Sequence, residues 1–265
     1  MPGSAFVTAS GKAPVLALIG DRYHNVDYIR VNFDRLFAEL GLAYEYTANY
    51  EWFVEEDLTA QLLEGRRLFV FGRDALVFPD GYVGPGQSDG LVAALMNAPP
   101  RGPAGTWVTE GFAAAVERFV RAGGSLFSWH NNLSVSNYSG TYRDITGGAY
   151  DGHPPERPWK VEVVDRDHPI TRDVEDFMVT DEQHFPIYDR APGDLLLRGA
   201  NIDGLTFDTD SGAGRGVTVS ATAWAHIYGE GRVVVSAVGH NLDALWKPDY
   251  WKFQKNAVRW LLREI

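Results

Sequence analysis

The sequence predicts an α/β domain built on a central, mostly parallel sheet flanked by helices. Three observations carry this. Short unbroken apolar runs at residues 15–19 (VLALI) and 68–71 (LFVF) have the length and composition of buried strands, and 125–129 (SLFSW) reads as a further strand. Stretches with helical apolar spacing separate them. Five of the seven histidines (His24, His130, His153, His184 and His240) fall where a run ends or in polar loops. In an open α/β sheet, ligands bind beyond the carboxyl ends of the strands, so such residues can converge from distant parts of the chain.

The elements follow in order. Residues 15–19 read as the first strand. Within residues 26–40, Ile29, Phe33, Leu36, Phe37 and Leu40 recur at helical spacing, and Gly41 follows where a C-terminal glycine is favoured. A second strand at 42–46, a short helix at 55–63 and a third strand at 68–71 complete a β-α-β-α-β series, the pattern of parallel crossovers. Thr109 can cap a helix over 110–122, closed by Gly123 and Gly124, before the strand at 125–129. Further strands are expected at 159–164, 194–197, 217–220 and 233–238, so the second half is richer in β structure. Residues 250–265 end the chain as an amphipathic helix. Residues 1–13 read as a disordered tail and 14–265 as one domain. A Gly/Pro-rich excursion at 77–106 is equally compatible with a lid or a solvated insertion.

Composition excludes more than it names. A formal charge of −11 opposes attachment to nucleic acid or an anionic membrane, which need a basic surface. Without cysteine there is no disulfide, thiolate nucleophile or sulfur-ligated metal. The first residues lack the basic-then-apolar order of a signal peptide, and no apolar run approaches the roughly 18 residues that span a bilayer, so a cytoplasmic protein is expected. Neither G-x-x-x-x-G-K-[ST] nor G-x-G-x-x-G after a strand occurs, so no nucleotide cofactor is indicated.

The chemistry-bearing residues are dispersed. His130 stands at a strand-to-helix turn where an α/β hydrolase keeps its nucleophile, but the G-x-S-x-G glycines are missing, which argues against a Ser-His-Asp hydrolase. In the run Asp181, Glu182, Gln183, His184, an extended backbone puts Glu182 and His184 on one face and Asp181 and Gln183 on the other. The pair suits acid–base work or a metal; a solvated polar loop is the plainer alternative. Gly239 before His240 permits close approach of backbone or ligand. His168 in DHPI reads as a turn residue bonded to backbone, and His226 as a satisfied, partly buried histidine. Aromatics near these points, Tyr23 and Trp246 among them, suit a sugar ring, although large aromatics also fill cores. Exposed aromatics at 246–251 suit a homodimer.

Taken together, GGSLFSWH (123–130), YRDITGG (142–148) with GHP (152–154), DHPI (167–170), Asp181-Glu182 and GEGRVVVSAVGH (229–240) resemble the ThuA-like, or trehalose-utilisation, family over most of the chain. The resemblance implies a flavodoxin-like, class I glutamine amidotransferase-like three-layer sandwich. It also implies loss of amidotransferase chemistry, because the relatives' catalytic cysteine has no counterpart and His130 stands near its place. Family members are associated with sugar catabolism beside oxidoreductases that make 3-keto-glycosides. A ketone at C3 acidifies the C2 proton, so a base can start departure of the C1 substituent. On that expectation His130, Glu182 and His240 transfer protons, while Tyr23, Asn131, Asn132, His153, Asp181 and Trp246 contact the sugar. His24 and His184 ligate a divalent metal such as Zn or Mn. The competing expectations are a noncatalytic sugar-binding or regulatory protein and a subunit kept only for assembly.

Overall fold

The computed structural model describes residues 11–78 and 103–265. Most of the expected tail (1–10) and the centre of the excursion (79–102) lie outside these residues. The excursion's two ends meet, since Leu76–Val77 pairs antiparallel with Gly105–Thr106.

Nine strands form the main sheet: β1 (Val15–Ile19), β2 (Tyr44–Thr47), β3 (Leu68–Gly72), β4 (Ser125–Trp129), β5 (Arg157–Val163), β6 (Phe177–Asp181), β7 (Leu195–Asn201), β8 (Val219–Tyr228) and β9 (Gly231–Ser236). Their spatial order is β2-β1-β3-β4-β9-β8-β7-β5-β6. The first five run parallel, and the remaining four continue the sheet as antiparallel neighbours. Only β8 and β5 therefore oppose the common strand direction, and the sheet is mostly parallel, as the apolar runs predict.

The unbroken runs are apolar for a physical reason. Every residue of β1, β3 and β4 is buried, because helices cover both faces of the parallel half. On one face lie α1 (Val26–Glu39) and the C-terminal helix, with Phe33, Leu36, Phe253 and Leu261 meeting Val70 and Phe127 in one core. On the other lie α2 (Glu56–Leu63), α3 (Glu110–Arg121) and α4 (Gly140–Thr146), whose Leu63, Phe112, Val116 and Ile145 meet Phe69 and Leu126. After β9 come a single turn, α5 (Leu242–Leu245), and then α6 (Pro248–Leu261). Caps set the helix starts: Asn25, Thr109 and Ser139 accept backbone N–H bonds from Asp27, Phe112 and Tyr142. Gly147 ends α4 in the left-handed region at φ 69°.

Three expectations change. Residues 177–181 form an edge strand that the sequence conceals, because its exposed side carries Met178 and Thr180 and only Val179 and Asp181 are buried. The strand expected at 217–220 starts at Val219 and runs on to Tyr228, its small Ala and Thr residues lowering the apolar signal. Trp251 is buried and donates its indole N–H to Glu39, so of the two tryptophans expected on a dimer surface only Trp246 is exposed.

His168 bonds backbone as expected, whereas His226 is buried and only half satisfied, its Nδ1 having no hydrogen-bond partner among the described residues. His168 Nδ1 accepts the Ile170 N–H at 3.1 Å, and the buried His226 donates from Nε2 to the Ile145 carbonyl at 2.9 Å. Burial pushes the His226 imidazole down to about 4. An unfolded histidine titrates near 6.5, so between about pH 6.5 and 4 the unfolded chain binds a proton that the fold refuses, and stability falls as pH falls. His226→Gln, which can still donate to Ile145, should remove up to about 3 kcal/mol of that loss. Urea midpoints from pH 7 to 4 check this, and parallel profiles for the two proteins would contradict it.

Candidate metal centre

The site forms where β1, β3, β4 and β9 end, and Asp21 ties the first three ends together. Its Oδ1 accepts the backbone N–H groups of Tyr23 and His24 at 2.9 and 3.0 Å, and its Oδ2 accepts the Asp74 N–H at 3.1 Å and the Asn131 amide. Oδ1 also lies 2.8 Å from His24 Nδ1. Burial raises the Asp21 carboxyl, but His24 and Arg73 outweigh it and hold the group at about 2. An ionised carboxylate only accepts, so His24 Nδ1 carries a proton and Nε2 is the ring atom left to face His240 Nδ1.

His130 is fixed in the same sense. It turns the chain out of β4 at φ 51°, a conformation costly for a residue with a side chain, into a 3-10 turn, His130–Asn137. Space for the turn comes from glycine: a Cβ on Gly239 would sit 2.6 Å from the Trp129 ring and 3.1 Å from the His130 Cβ. His130 Nδ1 donates to the Ala237 carbonyl at 2.6 Å. Its Nε2 is buried and has no hydrogen-bond partner among the described residues.

Glu182 arrives from the other half of the sheet. The Asp181 carboxylate accepts the N–H groups of Gly239 and His240 at 2.8 and 2.9 Å, which fastens the end of β6 to the turn after β9. Backbone alternation then turns Glu182 and His184 to the cavity. The Glu182 Oε2 lies 3.2 Å from His240 Nδ1, 3.4 Å from His184 Nε2, 3.6 Å from His153 Nε2 and 3.7 Å from His130 Nε2. Burial raises Glu182, but the His130, His184 and His240 imidazoles around it prevail and hold the carboxyl far below its usual range. Burial keeps His130 and His184 below the ordinary histidine range, whereas Glu182 lifts His240 above it against burial.

One ligand atom each from His24, His130, Glu182 and His240 lie within 4.8 Å of one another. Ligands held about 2.1 Å from one tetrahedral ion stand roughly 3.4 Å apart, which the 3.2 Å from His24 Nε2 to His240 Nδ1 and the Glu182 distances approximate. Three imidazole nitrogens and a carboxylate oxygen suit Zn, Mn or Fe(II). A cavity of about 400 Å³ opens above this set.

The structure brings all five loop histidines, Glu182, Tyr23 and Asn131 to this cavity or its floor. Three expected sugar contacts are elsewhere. The buried Asn132 amide serves the fold, donating to the Arg73 carbonyl and accepting from Ser128 and Tyr142. Asp181 is fully buried, with both oxygens on backbone N–H groups, and burial raises its carboxyl to about 6. Trp246 stacks on Arg35 at 5.1 Å and does not line the cavity. Conversely, Asp74 and Tyr150 line it. Asp74 follows β3 directly after Gly72 and Arg73, the strand-end signal that marked the histidines. Burial and the nearby Asp21 push its carboxyl well above the usual range.

The family model described as ThuA, trehalose utilisation, matches residues 91–261. No curated protein sequence matches the chain. Among solved structures, a protein described as ThuA-like from Bacteroides uniformis superposes with TM-score 0.58 at 14% identity, covering 94% of this chain and 92% of that one. One from Parabacteroides merdae, also described as ThuA-like, gives 0.58 at 13%, covering 96% and 91%. A β-galactosidase from Bacillus circulans gives 0.53 at 14%, covering 95% of this chain but 31% of the enzyme. At these identities the likeness establishes the fold. The matches agree with a flavodoxin-like, class I glutamine amidotransferase-like sandwich, with the parallel strands ordered β2-β1-β3-β4-β9.

Asp181 is expected to hold the site together. Asp181→Asn keeps the volume but turns one acceptor into a donor facing a backbone N–H. It should cost about 1–3 kcal/mol and speed amide exchange at Gly239 and His240. Denaturant unfolding with hydrogen exchange checks this, and unchanged exchange would show that the turn after β9 is held by other contacts.

Proposed function

Since the chain belongs to the ThuA, trehalose-utilisation, family, we propose that it is a sugar-catabolism enzyme in which His24, His130, Glu182 and His240 hold a divalent metal that assists cleavage of a 3-keto-glycoside. The observation that carries this reading is the convergence of four ligand atoms, with Nδ1 of His24 and of His130 committed to Asp21 and to the Ala237 carbonyl so that Nε2 of each is left to coordinate. The buried His130 Nε2, with no hydrogen-bond partner among the described residues, faces the Glu182 carboxylate at 3.7 Å, a gap that a cation would fill. For that reason His130, Glu182 and His240 take ligand roles here in place of the proton-transfer roles expected from sequence.

When bound, the metal would polarise the C3 carbonyl and stabilise the enolate left when the C2 proton passes to a solvent water in the open cavity. The chain's own groups bind and protonate. Tyr23 and Tyr150 offer ring faces to the apolar C–H side of a sugar, and Asn131 brings a buried Oδ1 with no partner among the described residues, ready to accept from a hydroxyl. Asp74 lines the cavity, burial and Asp21 push its carboxyl well above the usual range, and in this reading it gives its proton to the oxygen leaving C1. Elimination of the alcohol yields an enone, and addition of water to that enone gives net hydrolysis, so lyase and hydrolase share the same first steps. The cavity volume falls within the range of small-molecule sites.

The test is turnover of 3-keto-glucosides by metal-stripped protein and by protein reloaded with Mn²⁺ or Zn²⁺. Activity should require the metal. His24→Ala should abolish it, and Asp74→Asn should lower kcat about 10²–10⁴-fold with the metal retained. Full turnover by the stripped protein would refute the reading. Stabilisation by sugar without product would move it to a binding protein.

A further inference from the structure

We propose that the cavity holds a second divalent cation, bound by His153, His184 and Glu182, with the Glu182 carboxylate bridging it to the first. The proposal rests on the reading above for the first ion. It begins from His153, whose Nδ1 lies 2.8 Å from the Pro154 carbonyl. A carbonyl only accepts, so Nδ1 carries a proton and Nε2 is the ring atom left to coordinate. Nε2 faces the Glu182 Oε2 at 3.6 Å, and both residues line the cavity. A cation between these two atoms would be held by both.

His184 supplies the third ligand. Its ring is 2% exposed and stacks on His153 with centroids 5.0 Å apart and planes 23° apart, which brings both Nε2 atoms to the same carboxylate oxygen. Its Nδ1 is also buried and has no partner among the described residues. The ligand atoms of His153, Glu182 and His184 lie within 4.8 Å of one another, and the 3.4 and 3.6 Å separations are those of neighbouring ligands around one ion. Two imidazoles and a carboxylate leave further coordination positions for a substrate. The ligands themselves carry little negative charge, but the buried Asp21 carboxylate lies against the His24 ring and Asp181 accepts the His240 backbone N–H. Ions about 3.5–4 Å apart suit two adjacent oxygens. A keto-sugar presents such a pair as a carbonyl and its neighbouring hydroxyl.

The experiment loads metal-stripped full-length protein with Mn²⁺, counts bound manganese after gel filtration and records the electron paramagnetic resonance spectrum. The wild type should carry two Mn²⁺ per chain with an exchange-coupled signal. His153→Ala, at a half-buried position, should carry one with an uncoupled signal, and His153→Gln should behave alike. One Mn²⁺ in the wild type, unchanged in His153→Ala, would overturn the second site and leave the first standing. That result would mean that a proton on His153 answers the Glu182 charge. No Mn²⁺ in a folded wild type would overturn both. Should His153→Ala misfold, the wild-type count and coupling decide.

Discussion

One buried carboxylate, Asp21, organises the carboxyl end of the parallel sheet. Its two oxygens meet the loops that follow β1, β3 and β4, and each bond does two things at once. The N–H groups of His24 and Asp74 would otherwise be buried without partners, which costs about 1–3 kcal/mol each. The same bonds fix where the His24 ring, the Asn131 amide and the Asp74 carboxyl stand. A fully buried negative charge is itself unfavourable, and it persists because His24 and Arg73 lie against it.

Asp181 repeats the device on the antiparallel half. It spends both oxygens on the N–H groups of Gly239 and His240, so a strand at the far edge of the sheet is joined to the turn after β9. Glu182, the next residue, thereby enters a ring of imidazoles. Support and chemistry are thus adjacent in sequence but opposite in direction: Asp181 faces the fold and Glu182 the cavity, as strand alternation requires. Asn131 and Asn132 divide in the same way. One lines the cavity while the other bonds Ser128, Tyr142 and Arg73 beneath it.

His130 occupies the sharp turn after β4, but its Nδ1 is committed to Ala237 and its Nε2 is buried. An imidazole held so is suited to coordination more than to attack on a substrate. The glycines that leave space for this turn, Gly72 and Gly239, both approach Trp129 too closely to bear a side chain.

The sequence alone determined the fold class and the parallel half, because strands buried on both faces must be continuously apolar and helices covering them must be amphipathic. It also marked the five loop histidines and Glu182, since polar residues at strand ends are legible without coordinates. Only the tertiary structure decided which of them converge on one carboxylate. Neither spacing nor composition shows that His24 and His240, 216 residues apart, stand 3.2 Å apart. Nor does either show that Asp74 belongs to the cavity while Asn132, Asp181 and Trp246 do not. Side-chain direction at a strand end is set by backbone turns and by the partners met across the sheet. The edge strand β6 escaped the sequence for a related reason: a half-exposed strand owes its place to its neighbour β5, and its own residues carry little of that information.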